Sequence, residues 1–292
     1  MIDLLALRRF IIVCEEMSFS RAAERIGVSQ PAVTSQINAI ERELGLDLIV
    51  REQQRILALT AAGRSFLVHA RAIIGGLDEA VRSAQALTEQ EVERVRIGVC
   101  EESASRGFVQ FYQRCRRDLP DIAIDIREFM PGEITDALIS REIDLAFAIE
   151  PPAGPCERRD VWQEGWGVVL PVGHDLAQRD SFTLEDIHET GMILAQPAAG
   201  GAHELLRRLF TERKLTPPIV RQARRRSTIL ALAAAGEGIT VLIYAPKVVV
   251  NIDGAVVRPL AAPAPWVTML SLSEVSATVR RVMHLAGQMG GE

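Results

Sequence analysis

Five histidines, four cysteines and a set of short polar side chains near the N-terminus are the residues with chemistry to offer. His69, His174, His188, His203 and His284 show no i,i+4 pairing and no HExxH, so nothing points to a zinc hydrolase. Cys14, Cys100, Cys115 and Cys156 are scattered, without CxxC spacing or a clustered histidine. They read as structural thiols of a reducing compartment ahead of disulfides or zinc. A catalytic cysteine needs an orienting base, and no candidate pair stands out. No GxSxG, P-loop or GxGxxG follows a strand, and Gly236-Glu237-Gly238 suits a helix C-terminus better than a nucleotide loop. What remains is a row of amides and hydroxyls. Gln30, Thr34, Ser35 and Asn38 fall opposite the apolar stripe Val33, Ile37, Ile40 and Leu44. Such side chains can reach base edges in a DNA major groove, Gln and Asn being suited to adenine. A solvated helix face is the plainer alternative.

The surrounding pattern supplies the elements that would hold this row. Leu4, Leu7, Phe10, Ile11 and Cys14 recur at helical spacing and predict a first helix. A second runs through Arg21–Ile26 and stops at Gly27, and a third opens at Ser29 with Pro31 in its first turn and closes at Gly45. Two short helices around Gly27-Val28-Ser29 make a helix-turn-helix. Asp47–Leu59, with its alternating Arg55–Leu59, suits a small β wing. From Thr60 the period is helical again. Phe66, Ala70, Ile73, Leu77, Ala80, Ala84 and Leu87 step by four and three, a seam for a two-stranded coiled coil. Gly75-Gly76 predicts a flexible point or a close helix approach within it.

Beyond Glu93, strands and helices alternate. Val95–Cys100, Ile122–Arg127 and Asp144–Ile149 read as strands around helices at 104–118 and 132–140. After Pro151-Pro152-Ala153-Gly154-Pro155 a second series starts at Val161, and a further break at Pro259–Pro265 precedes a strand at Val267–Leu272 and a last helix. Repeated βα units predict mainly parallel sheets in two lobes joined by paired hinges, with ligands at the carboxyl ends of strands. The bounds are 1–60 for the DNA-binding domain, 61–90 for a dimerising linker and 91–292 for the rest. Within the latter, lobe I takes 91–158 and 266–292 and lobe II takes 159–265.

Bulk properties agree with a globular protein. The chain has 292 residues, 48% hydrophobic and 24% charged, enough for two or three domains. It lacks an uncharged apolar run long enough for a bilayer, and its N-terminus does not read as a signal peptide, which predicts a cytoplasmic protein with no membrane partner. The net charge of −5 argues against a surface that is basic throughout, while leaving room for a local DNA-reading element. The first 60 residues hold seven arginines and eight acidic residues, so the phosphate contribution to DNA binding should be modest.

Ser18-Phe19-Ser20-Arg21-Ala22-Ala23-Glu24-Arg25-Ile26-Gly27-Val28-Ser29-Gln30-Pro31-Ala32-Val33-Thr34 resembles the helix-turn-helix of LysR-type transcriptional regulators. Similarity continues at Ile40-Glu41, Leu59–Gly63, Val169-Leu170-Pro171, His174–Ala177 and Ala233–Ile239, in the family's order across the chain. The resemblance implies a multidomain α+β protein. It would have an N-terminal winged helix-turn-helix, a long linker helix and a two-lobed α/β effector domain resembling periplasmic-binding-protein type II. It implies a DNA-binding surface of Ser29, Gln30, Pro31, Thr34, Ser35 and Asn38, with Arg51 and Arg55 flanking the wing for phosphate or minor groove. Most members carry Arg or Lys where this chain has Ser35 and Asn38. For the effector the resemblance points to the loop after the first strand, where Ser103 or Ser105 would cap a helix and leave N–H groups facing the cleft. Phe129, Met130 and Ile149 would join from strand ends, with Gln196, Gly200, Arg226, Ser227 and Thr228 opposite. Glu101 and Glu102 are unexpected beside an anion site and favour a sugar-like or cationic ligand, whereas Arg224, Arg225 and Arg226 favour an organic acid.

The implied function is a regulator of double-stranded DNA switched by a small-molecule effector and not an enzyme. It would need no cofactor or metal and would act as homodimer or homotetramer, with RNA polymerase as a further candidate partner. The alternatives are a redox- or ligand-independent regulator and, in another class, a solute-binding or catalytic protein of the same two-lobed fold.

Overall fold

The computed structural model describes residues 2–52, 55–86, 93–196, 201–244 and 252–289. It falls into two compact units, one built on residues 1–91 together with 136–142 and the other on the remainder.

In the first unit, α1 (Leu4–Glu16) starts at Asp3, whose carboxylate accepts the Ala6 N–H at 2.7 Å. Helix α2 (Phe19–Ile26) starts at Ser18 and ends at Gly27, which turns the chain at φ +76°, a conformation that costs glycine nothing. Helix α3 (Gln30–Leu44) follows after three residues, with Pro31 in its first turn. Ser29 occupies its N-cap position, but its hydroxyl makes no capping bond. Phe10, Val13, Ala22, Val33 and Ile37 close the space between the three helices, all with no exposed surface. The small Ala22 lets α2 cross its neighbours closely. Strands β1 (Ile49–Glu52) and β2 (Arg55–Leu59) pair antiparallel as the wing, whose Gln53 and Gln54 lie outside the described residues.

Helix α4 (Ala61–Ala86) runs unbroken through Gly75-Gly76. Its expected seam divides in two. Phe66 meets the edge of Phe10 at 5.2 Å between ring centroids, and Ala70 is fully buried in the helix-turn-helix core. Farther along, Ile73 and Leu77 are 52% and 37% exposed, so only this half is left for a partner helix. Leu87 lies outside the described residues.

The chain continues with β3 (Glu93–Val99), α5 (Arg106–Asp118), β4 (Ile122–Glu128), a 3₁₀ turn at Pro131–Glu133, α6 (Ile134–Ile139), most of which groups with the first unit, β5 (Leu145–Ile149) and β6 (Glu157–Gln163). After β6 come β7 (Gly165–Pro171), β8 (Phe182–Thr183), α7 (Leu184–Ile187), β9 (Met192–Ala195), α8 (Ala202–Glu212) and β10 (Ile219–Ala223). It closes with α9 (Arg226–Ala234), β11 (Thr240–Tyr244), β12 (Ala255–Ala261), β13 (Trp266–Ser271) and α10 (Ala277–Gly287).

Two sheets result, and they are mixed rather than mainly parallel. The first has the order β4-β3-β5-β13-β6; β3 is parallel to both neighbours, but β13 is antiparallel to β5 and β6. The second, β11-β7-β12-β8, has β7 antiparallel to both flanking strands, and β9 with β10 forms a parallel pair beside it. The reason is connectivity: chain that leaves one lobe and returns to it adds its strands in the reverse direction. Since β6 belongs to the first sheet, the crossing falls at Glu164-Gly165 and not at 158/159. The return, 262–265, lies against it, with the Glu164 N–H donating to the Pro265 carbonyl at 2.9 Å and the Trp166 indole to the Pro263 carbonyl at 2.9 Å. Phe147 meets Phe111 edge-on at 4.9 Å and Trp162 at a tilt at 5.0 Å between ring centroids, within the core under the first sheet. Ile193, Ile229, Ala233 and Leu242 hold α9 to the second lobe.

Candidate DNA-reading surface and effector cleft

Helix α3 presents Gln30, Pro31 and Ser35 exposed and Thr34 half-buried, beside a groove that also takes in Arg42 and Leu46. The Ser20 hydroxyl donates to Gln30 Oε1 at 2.9 Å, tying the start of α3 to α2. Asn38 and Arg51 are placed differently from the sequence expectation. Arg51 donates to Asn38 Oδ1 at 2.6 Å, pairs with Glu41, and lies 5.2 Å above the Phe19 ring. Glu41 also accepts the N–H groups of Leu48 and Ile49 at 2.9 and 3.1 Å. These four residues therefore fasten the wing to α3, and the Arg51 charge is largely matched by its own protein. Arg55 opens β2; its side chain lies outside the described residues. Glu41 was missed from sequence because an acidic residue on a DNA-reading helix looks like surface.

Between the lobes of the second unit lies a cavity of about 430 Å³. Phe129, Met130, Gln196 and Arg226 line it, as does Glu102, which the sequence placed beside the site, together with His203, Arg207 and Thr240, which it did not single out. Five expected contacts are elsewhere. Ser103 is fully buried: its hydroxyl accepts the Cys100 N–H at 3.0 Å and donates to the Phe147 carbonyl at 2.6 Å. Ser105 stands at the N-cap of α5 without a side-chain capping bond, and its hydroxyl goes instead to Glu164. Ile149 points into the core, and Ser227 and Thr228 sit on the exposed side of α9, away from the lining. Gly200 lies outside the described residues.

Two helix N-termini that could have received an effector anion are filled by the protein's own carboxylates. Glu164, only 6% exposed, accepts the Gly107 N–H at 3.2 Å at the start of α5. Glu102 lies at the start of α8, where Gly201, at φ +90°, passes so close that a β-carbon would stand 3.2 Å from the Glu102 carboxylate. Burial pushes the Glu102 carboxyl above the usual range, Ala202 and Arg226 opposing. The third N-terminus, that of α9, carries Arg224, Arg225 and Arg226. His203 accepts the Ala195 N–H at 3.4 Å and is held down to about 4, first by burial and then by Arg207 and Arg226, so it is neutral near pH 7. Arg207 itself donates to the Ala195 carbonyl at 2.6 Å.

All four cysteines are buried and unpaired. Burial pushes the thiols of Cys14, Cys100 and Cys115 up to about 12 and raises that of Cys156, which disfavours the reactive thiolate form. Among the described residues no group of His, Cys, Asp and Glu is placed to hold a metal ion, and no helix is long and apolar enough to cross a membrane.

Comparison with known proteins gives a consistent result. Residues 4–64 match the family described as "Bacterial regulatory helix-turn-helix protein, lysR family", and residues 88–286 match "LysR substrate binding domain". The uncharacterized HTH-type transcriptional regulator YnfL of Escherichia coli (strain K12) is 32% identical over 248 residues, 82% of each chain. The crystal structure of CbnR, a LysR family transcriptional regulator, superposes with a TM-score of 0.73 at 19% identity over 100% of both chains. CbnR in complex with its target DNA gives 0.69 at 20% identity, over 99% of this chain and 100% of that one. Over the helix-turn-helix and the two-lobed domain alike, the chain belongs to the LysR family of transcriptional regulators.

Proposed function

We propose that this regulator reads a DNA operator through the start of α3 and is switched by a small molecule held between the lobes of residues 91–292. The observation that carries the reading is the exposed polar face of Gln30, Thr34 and Ser35, held in place by the Glu41–Arg51–Asn38 brace. Gln30 and Ser35 meet base edges in the major groove, Ser29 and Pro31 approach the backbone at the helix start, and Arg55 on the wing meets phosphate. Asn38 and Arg51 act mainly as braces, consistent with the bonds they already make. The exposed half of α4 pairs two protomers, and further association of the effector domains makes a tetramer. Effector contacts come from Phe129, Met130, Gln196 and Arg226. Ligand binding shifts the protomer between arrangements only as far as its affinity differs between them, and RNA polymerase is the partner on which such a switch would act.

The test is affinity for a duplex selected from a random pool. Gln30→Ala and Ser35→Ala should each weaken binding roughly 5- to 100-fold, equivalent to about 1–3 kcal/mol, without altering the melting temperature. Unchanged affinity in both variants would overturn α3 as the reading element.

A further inference from the structure

The polar face of α3 is held from two sides. Asn38 is fastened from the wing by Arg51, and Gln30, the first residue of the helix, is fastened from α2 by the Ser20 hydroxyl, 2.9 Å from Oε1. Ser20 stands on a fixed platform. Phe19, Ala22 and Ala23 beside it are buried in the core of the first unit, and Ser18 caps the helix to which it belongs. Arg21 donates to the Glu16 carbonyl, and Arg25 pairs with Glu15 at 2.9 Å and Glu16 at 3.0 Å, which locks α2 to the end of α1. The turn sets the start of α3 against this platform, with the Gly27 and Val28 N–H groups donating to the Ala23 carbonyl at 2.9 and 3.1 Å. The Ser20 hydroxyl is thus a fixed point, whereas the Gln30 amide sits at the end of a rotatable stem.

Exposure decides what this bond can do. Both residues are exposed, and water competes for both partners, so the bond contributes little to folding. It contributes where an amide has to be aimed. A long polar side chain that is free in solution loses rotamer freedom when it docks on the correct base. On a wrong base it stays free, so the penalty falls on the correct pairing alone and erodes discrimination. Held beforehand by Ser20, Gln30 has less freedom left to lose. A DNA groove closing over the pair also excludes water and strengthens the bond. The groups that remain suffice for reading. Ser20 occupies one lone pair of Oε1, and the other lone pair stands beside the Nε2 hydrogens, a pattern that matches adenine N6 and N7.

We infer that Ser20 is a positioning residue for base recognition: it fixes the Gln30 amide so that its edge meets an adenine, and touches no base itself. The inference rests on α3 as the DNA-reading helix, and it brings a residue of α2 into the reading of sequence.

The experiment uses the full chain and the duplex selected from a random pool, with each base pair of one half-site replaced in turn. Gln30→Ala identifies the pair that Gln30 reads as the one where discrimination drops. There the wild type should prefer adenine roughly 5- to 100-fold, the range of a two-bond contact. Ser20→Ala should cut that preference at least about threefold, leave the other pairs unchanged and keep affinity for a scrambled duplex within about twofold. Ser20→Thr, which keeps the hydroxyl, should restore the preference. In double variants Ser20→Ala should add nothing to Gln30→Ala, and should add in full to Ser35→Ala. Equal losses on the selected and scrambled duplexes would make Ser20 a phosphate contact and overturn the inference. Additive losses with Gln30→Ala would overturn it too, and a base other than adenine at that pair would overturn the amide geometry; all three leave α3 as the reading element. Undiminished discrimination at every pair in both Gln30→Ala and Ser35→Ala would overturn that reading itself.

Discussion

Glu41 and Arg51 show how one pair of side chains can decide what a DNA-reading helix is able to do. A carboxylate that accepts two backbone N–H groups and a guanidinium fixes the wing to α3, and in doing so removes a cation from the phosphate-binding set. Glu41→Ala should therefore destabilise the first unit by about 2–3 kcal/mol in urea unfolding, because the freed N–H groups of Leu48 and Ile49 lose their acceptor. Affinity for DNA should fall as well, although an acidic residue has been removed; a gain in affinity would contradict the brace. His203 makes a second residue-level prediction. Its folded value, about 4, lies below the unfolded 6.5, so between these the unfolded chain binds more protons and stability rises with pH. The stability His203 contributes is complete above about 6.5 and is lost as pH falls towards 4. A urea midpoint that drops over this window in the wild type, with a shallower drop in His203→Gln, is the expected result; parallel curves would contradict it.

Among the elements, α4 divides its labour along its length. The turn bearing Phe66 and Ala70 completes the core of the helix-turn-helix, and the later turns leave Ile73, Leu77 and Val81 uncovered. The double variant Ile73→Glu, Leu77→Glu should convert the assembly to smaller species in light scattering and weaken DNA binding at least tenfold, with the first unit still folded. Unchanged mass would place the interface elsewhere. The helices of this unit were legible in sequence because their signals are local: Ser18, Gly27, Pro31 and Gly45 each act within one turn of where they stand. The sheets were only partly legible. That β6 returns to the first lobe depends on pairing with β13, about a hundred residues later, and no local pattern encodes it. The cleft was the least legible. Ser103 and Ser105 looked like helix caps, but the Phe147 carbonyl and Glu164, distant in sequence, take their hydroxyls, and Thr240 begins a strand whose alternation gives no hint of an unpaired hydroxyl.

For the whole molecule, the charge pattern and the fold point the same way. With seven arginines against eight acidic residues in its first 60 positions, and Arg51 matched internally, the protein should have little nonspecific pull on DNA. On the proposed reading, its preference comes from contacts made by the start of α3, repeated by a second protomer. The most direct test is selection of duplexes from a random pool by the full chain, followed by affinity measurements at several salt concentrations. The account predicts enrichment of a two-fold symmetric sequence, bound at least a thousandfold more tightly than a scrambled duplex and retained as salt rises. Failure to enrich any sequence, or equal affinity for the scrambled duplex with steep loss in salt, would contradict it.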